Sequence, residues 1–124
     1  MVNLAIIGLC GGLGCISRYF LSGWAYDWLG KGFPYGTLAV NMLGAFILGF
    51  LMEYSLHSTL IPASLRVGLT LGFLGGLTTF STFSYETLRL LEEGEILFAV
   101  INAVGSVVVC VFFVWIGLVA ARTI

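Results

Sequence analysis

Charged residues are scarce in this chain. Of its 124 residues only 9% are Asp, Glu, Lys or Arg, whereas 60% are hydrophobic. A soluble domain carries about 25% charged residues, and so few charges cannot cover the surface of a globule of this length. The surface must therefore face hydrocarbon, which predicts one all-α integral membrane domain over residues 1–124. The formal net charge of −1 leaves no basic surface for nucleic acid.

Metal-ligating and catalytic residue types are also rare. Cys10, Cys15 and Cys110 lie in apolar segments without a CxxC pair, and His57 is the only histidine. A zinc site needs about four converging N or S ligands, which this sequence does not offer. No nucleophile–base pair indicates an enzyme. The first apolar segment has neither a preceding Lys or Arg nor an A-x-A site, which favours a retained helix over a signal peptide.

Four apolar segments are long enough to cross a bilayer, which takes about 20 residues each. The connections between them are short and contain Gly, Pro and charged residues, as in 26–34. The sequence therefore predicts four transmembrane helices, with approximate bounds 3–24, 35–53, 64–92 and 95–122.

The third segment contains a sequence that disfavours a continuous helix. Gly75 and Gly76 each lower helix propensity by about 1 kcal/mol relative to alanine. Five hydroxyl side chains follow within seven positions, namely Thr78, Thr79, Ser81, Thr82 and Ser84. Irregular backbone at membrane depth requires protein cover or a wet cavity, so we expect a break near 75–79. The alternative is an unbroken helix whose hydroxyls bond their own backbone.

Glycines recur at four-residue spacing in two segments. Gly8 and Gly12 do so in the first, and Gly68, Gly72 and Gly76 do so in the third. Such spacing lets helix backbones approach closely. Glycine is common in membrane helices in any case. The three aligned glycines therefore favour close packing chiefly for the third helix.

Positive charges are balanced across the predicted spans. Arg66 and Arg122 fall on the side of the termini, and Lys31 and Arg89 fall on the other. The positive-inside rule then selects no orientation. We therefore expect both orientations of insertion, and two oppositely inserted copies can form an antiparallel two-fold dimer.

Polar side chains inside the predicted spans are candidates for an ion pathway. Asn41 offers two N–H donors without charge, and Asn102, Ser106 and Cys110 recur at four-residue spacing along the fourth helix. Arg18 lies about three-quarters along the first predicted span, where it either snorkels to the interface or attracts anions. Each residue alone is equally consistent with hydrogen bonding between helices. Together they predict a donor-rich path suited to an anion.

Two phenylalanines stand beside the hydroxyl residues of the third segment. Phe80 and Phe83 share a helix face and are flanked by Ser81, Thr82 and Ser84. Simple packing is one interpretation of them. The other is that their ring edges, which carry partial positive charge, contact a small anion.

Three motifs give the chain a resemblance to the Fluc (CrcB) family of fluoride channels. They are GGxGxxxRY from Gly11, GTLxVNxxG from Gly36 and GGLTTFSTFSxE from Gly75, with Gly105–Ser106 continuing the pattern. The resemblance covers the whole chain. It implies a dual-topology antiparallel homodimer with two pores, which conducts fluoride passively out of a prokaryotic cell through its membrane.

The resemblance also implies roles for single residues. The family's pore phenylalanines fall on Phe80 and Phe83, its pore asparagine on Asn41 and its first-helix arginine on Arg18. Its polar track falls on Asn102, Ser106 and Cys110, where Cys110 is a weaker donor than the usual Ser or Thr. Its central sodium ion, held by backbone carbonyls, falls on Gly75 and Thr78, and its acid after the phenylalanine motif falls on Glu86.

Two other classes of membrane protein compete with a channel. A small four-helix, dual-topology multidrug or cation exporter needs an ionisable carboxylate inside its first helix, whereas the first acid here, Asp27, follows the predicted first span. A purely structural subunit would not explain so many donors within the spans.

Overall fold

The computed structural model describes residues 2–124, and all regular structure within them is helical. Four helices are long and apolar enough to cross a membrane, as predicted: Val2–Leu29, Tyr35–His57, Ala63–Glu92 and Ile96–Arg122. We call the first two α1 and α2, and the last α5. The third span consists of two parts, α3 over 63–77 and α4 over Ser81–Glu92.

The first helix is longer than the sequence predicted. α1 continues past residue 24 to Leu29 and ends at Gly30, whose φ of 94° is the left-handed conformation that terminates many helices. The N–H of Gly30 still bonds the Tyr26 carbonyl at 2.9 Å. The predicted end was wrong because the stretch that begins at Tyr26 was interpreted as a turn. Consequently Tyr26 and Asp27 belong to the helix, and Arg18 lies nearer its middle.

The third span is broken, as predicted, but just beyond its paired glycines. Gly75, Gly76 and Leu77 form the last helical turn of α3, and Thr78 then adopts extended backbone with φ −91° and ψ 159°. Helical structure resumes at Ser81. Residues 78–80 therefore form a short irregular link at mid-span, and the N-terminus of α4 points at it.

Two π-helical segments interrupt the α-helical winding of the third and fourth spans. They are Gly68–Leu74 in α3 and Ile101–Gly105 in α5. A π-helical turn is wider than an α-helical turn, so side chains after it lie on a different face from the one that α-helical spacing predicts. Such segments are frequent at functional sites.

Glycines allow the helices to touch backbone to backbone. α1 packs on α3, and α2 packs on α5. A Cβ atom on Gly72 would lie 2.8 Å from the Ile7 carbonyl oxygen, and one on Gly49 would overlap the Val114 carbonyl. The predicted close packing of the third helix is thus confirmed. The α2–α5 contact also depends on glycines. Gly8, by contrast, faces open space.

The buried core is small, and the outer faces are apolar. Val40, Leu74 and Leu77 form a cluster that is almost inaccessible. Large apolar side chains such as Trp28 and Leu9 lie exposed on the outside, as expected of a surface that contacts lipid. Four polar side chains are buried among the described residues, namely those of Thr37, Glu53, Asn102 and Ser106.

One ion pair, between a buried carboxylate and an exposed arginine, joins the ends of α2 and α5. The Glu53 carboxylate, which is only 7% exposed, accepts a hydrogen bond from Arg122 at 2.8 Å and lies 3.2 Å from the His57 ring. A buried carboxylate without such partners would be strongly destabilising. α2 continues past the predicted end at Glu53 to His57, and His57 contacts Glu53 from this additional part of the helix.

Candidate ion pathway

Asn41 holds the broken segment of the third span in place. Its Oδ1 accepts a hydrogen bond from the Thr79 N–H at 2.8 Å, and its Nδ2 donates to the Thr79 carbonyl at 3.0 Å. These two bonds replace the helical bonds that the break removes, since buried backbone groups need partners. The amide of Asn41 retains one N–H that neither bond uses.

A groove of about 540 Å³ lies between α2, the broken span and α5. It contains seven of the residues that the sequence singled out: Asn41, Gly75, Thr78, Phe80, Phe83, Ser106 and Cys110. The rings of Phe80 and Phe83 lie 5.6 Å apart between centroids, tilted by 42°. The groove therefore combines neutral donors with aromatic rings, and the N-terminus of α4 adds a partial positive charge beside it.

A second space, the Arg18 cavity, lies on the other side of the break. It measures about 400 Å³ and is lined by Arg18, Thr82 and Glu86, among others. Thr79 lines both this cavity and the groove. Thr79, which Asn41 holds by two hydrogen bonds, therefore separates the two spaces. We call this pair of bonds the clamp, and a solute that moved from one space to the other would pass it.

Asn102 does not line the groove with Ser106 and Cys110, so the predicted stripe of three residues is only partly present. The side chain of Asn102 is 2% exposed, donates to the Thr87 hydroxyl at 2.8 Å and accepts from the Ser106 hydroxyl at 3.2 Å. Asn102 lies within the π-helical segment Ile101–Gly105, which ends just before Ser106. Its role in this structure is to orient the Ser106 hydroxyl.

The remaining hydroxyls of the motif lie outside both spaces. Ser81 and Ser84 are exposed, and Ser84 donates to the Phe80 carbonyl at 2.9 Å. Thr79 and Ser81 hydroxyls are 3.4 Å apart. The exposure of this polar segment, together with that of Phe80 at 77%, leaves irregular backbone without protein cover in a single copy.

The break leaves carbonyl oxygens free. Within residues 2–124, no backbone N–H and no side chain donates a hydrogen bond to the carbonyl of Gly75 or of Thr78. Both residues border the groove. Unbonded carbonyl oxygens are suitable ligands for a hard cation, so these two residues fit the sodium site that the family resemblance implies.

Glu86 has two hydroxyl partners that the sequence did not reveal. Tyr26 donates to its Oε2, and Thr37 donates to its Oε1. Tyr26 was missed because it was assigned to the connection 26–34, whereas it lies on α1. Thr37 sits inside the GTLxVNxxG motif, where a hydroxyl within a predicted span is the sequence signal for a polar partner.

Asp27 does not provide the carboxylate that an exporter of the small multidrug type requires. It lies on α1 rather than beyond the helix, but near its end, and it is exposed. It lines neither the groove nor the Arg18 cavity. The exporter hypothesis therefore has no support from the position of this acid.

Four apolar spans around a donor-lined groove and a broken helix define the class of protein: a small multi-pass membrane protein with a polar pathway. Comparison with known families identifies it further. A family model described as "CrcB-like protein, Camphor Resistance (CrcB)" matches residues 5–118. The chain belongs to this family, which confirms the resemblance seen in its sequence.

Curated relatives are similar over the full length. A protein of Geotalea daltonii named "Fluoride-specific ion channel FluC" is 62% identical over 124 residues, which is 100% of both chains. Proteins with the same name from Geobacter metallireducens and Geotalea uraniireducens are 59% and 56% identical, covering 98% and 100% of both chains respectively. With its four spans, the chain is a multi-pass protein of a prokaryotic cell membrane.

Proposed function

We propose that this chain is a subunit of a channel that conducts fluoride passively across the cell membrane and so lowers cytoplasmic fluoride. The observation that carries the proposal is the groove, in which Asn41, Ser106, Phe80 and Phe83 meet at the break of the third span. The full-length relatives named as fluoride-specific channels support the choice of ion.

The groove offers fluoride a replacement for part of its hydration shell. The free N–H of Asn41 and the hydroxyl of Ser106 are neutral donors, and the edges of Phe80 and Phe83 are weakly positive. Conduction requires binding weak enough to allow release. Among residues 2–124, no Lys or Arg borders the groove, so an ion there is held by dipoles rather than by a full positive charge.

The Arg18 cavity serves as the approach to the groove. Within residues 2–124, no carboxylate forms an ion pair with Arg18, so its charge is available to raise the local concentration of anions. Thr82 in the same cavity supplies a hydroxyl. The ion then passes Thr79 and reaches the donors of the groove.

The functional unit is an antiparallel homodimer. Irregular backbone is not stable when it faces lipid, and the exposed link around Phe80 therefore needs a partner. A second copy in the opposite orientation agrees with the balanced positive charges on the two sides. In this assembly the carbonyls of Gly75 and Thr78 from both copies hold one structural sodium ion. Replacement of sodium by a large organic cation should then weaken the dimer. Single-molecule photobleaching in membranes measures the fraction of dimers.

The function is tested by ion efflux from liposomes. Purified protein is reconstituted, the vesicles are loaded with potassium fluoride or potassium chloride, and efflux is followed with ion-selective electrodes after addition of valinomycin. Rapid fluoride efflux with chloride at the level of protein-free vesicles is expected. Fluoride efflux that equals the protein-free rate, from vesicles with correctly folded protein, would refute the proposal.

A further inference from the structure

A third space opens at the side of the membrane opposite the termini. This loop cavity measures about 660 Å³ and is lined by Lys31, Arg89, Glu93 and Glu95, among others. Of the residues that the structure describes, only Tyr26 and Glu86 line both the loop cavity and the Arg18 cavity. These two side chains, which are joined by a hydrogen bond, therefore form the wall between the two spaces.

The wall contains the only carboxylate that borders the Arg18 cavity among the described residues. A carboxylate at this position repels an anion unless its charge is compensated, because Coulomb energies are larger away from bulk water. The two oxygens of Glu86 accept one hydroxyl each, from Tyr26 and Thr37. An ionised carboxylate only accepts hydrogen bonds, so two donors match the charged form.

The geometry around Tyr26 fixes the position of its hydroxyl. The ring lies against Gly36, where any Cβ atom would overlap it. Thr37, the residue after Gly36, is 5% exposed and reaches the other carboxylate oxygen. Helices α1 and α2 thus bring two donors to one acid on α4.

We propose that Tyr26 is a positioning residue of the anion pathway: with Thr37, it holds the Glu86 carboxylate in the wall between the loop cavity and the Arg18 cavity and compensates its charge there. Fluoride that crosses this wall then meets a carboxylate whose negative charge is partly offset by two hydroxyl donors. The role in conduction rests on the proposed fluoride channel, whereas the effect on local charge does not.

Native cysteines provide a test of the charge effect. Cys15 lines the Arg18 cavity, and Cys110 lines the groove. The unmodified protein and its variants are treated with a negatively charged or a positively charged methanethiosulfonate reagent, and mass spectrometry gives the rate at each cysteine. The ratio of the anionic to the cationic rate at Cys15 reports the potential of the cavity, and the same ratio at Cys110 is the internal reference.

Tyr26→Phe keeps the ring and removes the hydroxyl. We expect it to lower the anionic-to-cationic ratio at Cys15 by about threefold or more, with the ratio at Cys110 unchanged, since hydrogen bonds to charged groups are among the stronger ones. Thr37→Val should act in the same direction. Tyr54→Phe, which removes a phenol hydroxyl from α2 outside the three spaces, is the matched control and should change neither ratio.

A double-mutant cycle shows whether Tyr26 acts through Glu86. In a Glu86→Gln background, Tyr26→Phe should have no effect on the ratio. An unchanged ratio at Cys15 in both Tyr26→Phe and Thr37→Val, or an equal shift in the Glu86→Gln background, would overturn the proposal. If wild-type vesicles release no fluoride, the proposed function fails. The labelling ratio at Cys15 still shows whether Tyr26 and Thr37 act on the charge of Glu86. If the vesicles do release fluoride, Tyr26→Phe should slow the efflux severalfold.

Discussion

Asn41 illustrates how one side chain combines a structural and an ion-binding task. Both of its polar atoms bond the backbone of Thr79, which the broken helix leaves without partners. Asn41 also lines the groove, and one N–H of its amide is not used by either bond. An effect of mutation at Asn41 on conduction therefore includes both the loss of an ion contact and the movement of the link 78–80.

Asn41→Asp keeps one of the two hydrogen bonds to Thr79 and removes the other. The carboxylate still accepts from the Thr79 N–H, but it cannot donate to the Thr79 carbonyl and repels it. We expect a loss of about 1–3 kcal/mol in unfolding free energy and a loss of fluoride efflux. Amide hydrogen exchange at the link 78–80 should become faster. The control is Ser55→Ala, which removes an intrahelical bond elsewhere on α2 and should leave exchange at the link unchanged. Normal exchange at the link would contradict the clamp.

The two phenylalanines of the groove give a second prediction at this scale. Phe80→Ile or Phe83→Ile removes a ring edge, and we expect fluoride efflux to fall sharply while the protein stays folded. Phe80 is mostly exposed in one copy, so its replacement costs little packing within the chain. Chloride should remain excluded, because the wall stays apolar and narrow.

Phe112 provides the matched control for these two substitutions. It is exposed on α5 and does not line the groove, so Phe112→Ile should leave fluoride efflux at the wild-type rate. Normal fluoride efflux in both groove variants would show that Phe80 and Phe83 only fill space.

At the scale of helices, the contact between α2 and α5 depends on the absence of side chains at two positions. Gly49 lies against the backbone of Val114, and Gly117 lies against that of Phe46. Gly49→Ala places a methyl group in this contact and should destabilise the protein by about 1–3 kcal/mol through overpacking. Chemical denaturation in detergent measures the change.

Gly8→Ala is the control for this effect. No atom lies within 4 Å of the position that its Cβ would occupy, and alanine has the higher helix propensity. Gly8→Ala should therefore leave the stability unchanged or raise it by up to about 1 kcal/mol. Equal destabilisation by both substitutions would mean that the α2–α5 contact is not specifically tight.

The helices themselves could be predicted because apolarity and length are local properties of the sequence. The break after Leu77 could be predicted as well, since two glycines and clustered hydroxyls weaken a helix wherever they occur. The end of α1 could not, because Tyr26 and Asp27 have no helical signal of their own and the helix ends only at Gly30. The burial of Asn102 could not be predicted either, because its side chain bonds Thr87 of another helix, a contact that spacing along one helix does not reveal.

The pathway was predictable in part for the same reason. Asn41, Phe80, Phe83 and Ser106 were identified because polar and motif residues stand out within apolar spans. The Tyr26 and Thr37 contacts with Glu86 join three separate helices, so they depend on tertiary packing. A single hydroxyl in a sequence does not indicate which distant acid it will meet.

At the scale of the whole molecule, a single chain leaves its most polar segment uncovered. The link 78–80 and the start of α4 lie exposed at mid-span, with Ser81, Thr82 and Ser84 unprotected. Lipid cannot satisfy these groups. We therefore expect a partner to cover them, and the charge balance of the sequence gives an expectation for its orientation.

We expect the two copies of the dimer to be inserted in opposite orientations, because Arg66 and Arg122 on one side are matched by Lys31 and Arg89 on the other. A single cysteine introduced at Thr123, in a background without the native cysteines, should react with a membrane-impermeant thiol reagent at about half of the molecules in intact cells. Permeabilised cells should give complete reaction. Asp27→Lys and Glu95→Lys add positive charge to one side only and should shift the labelled fraction away from one half. Labelling from one side alone in the unbiased protein would exclude the antiparallel arrangement.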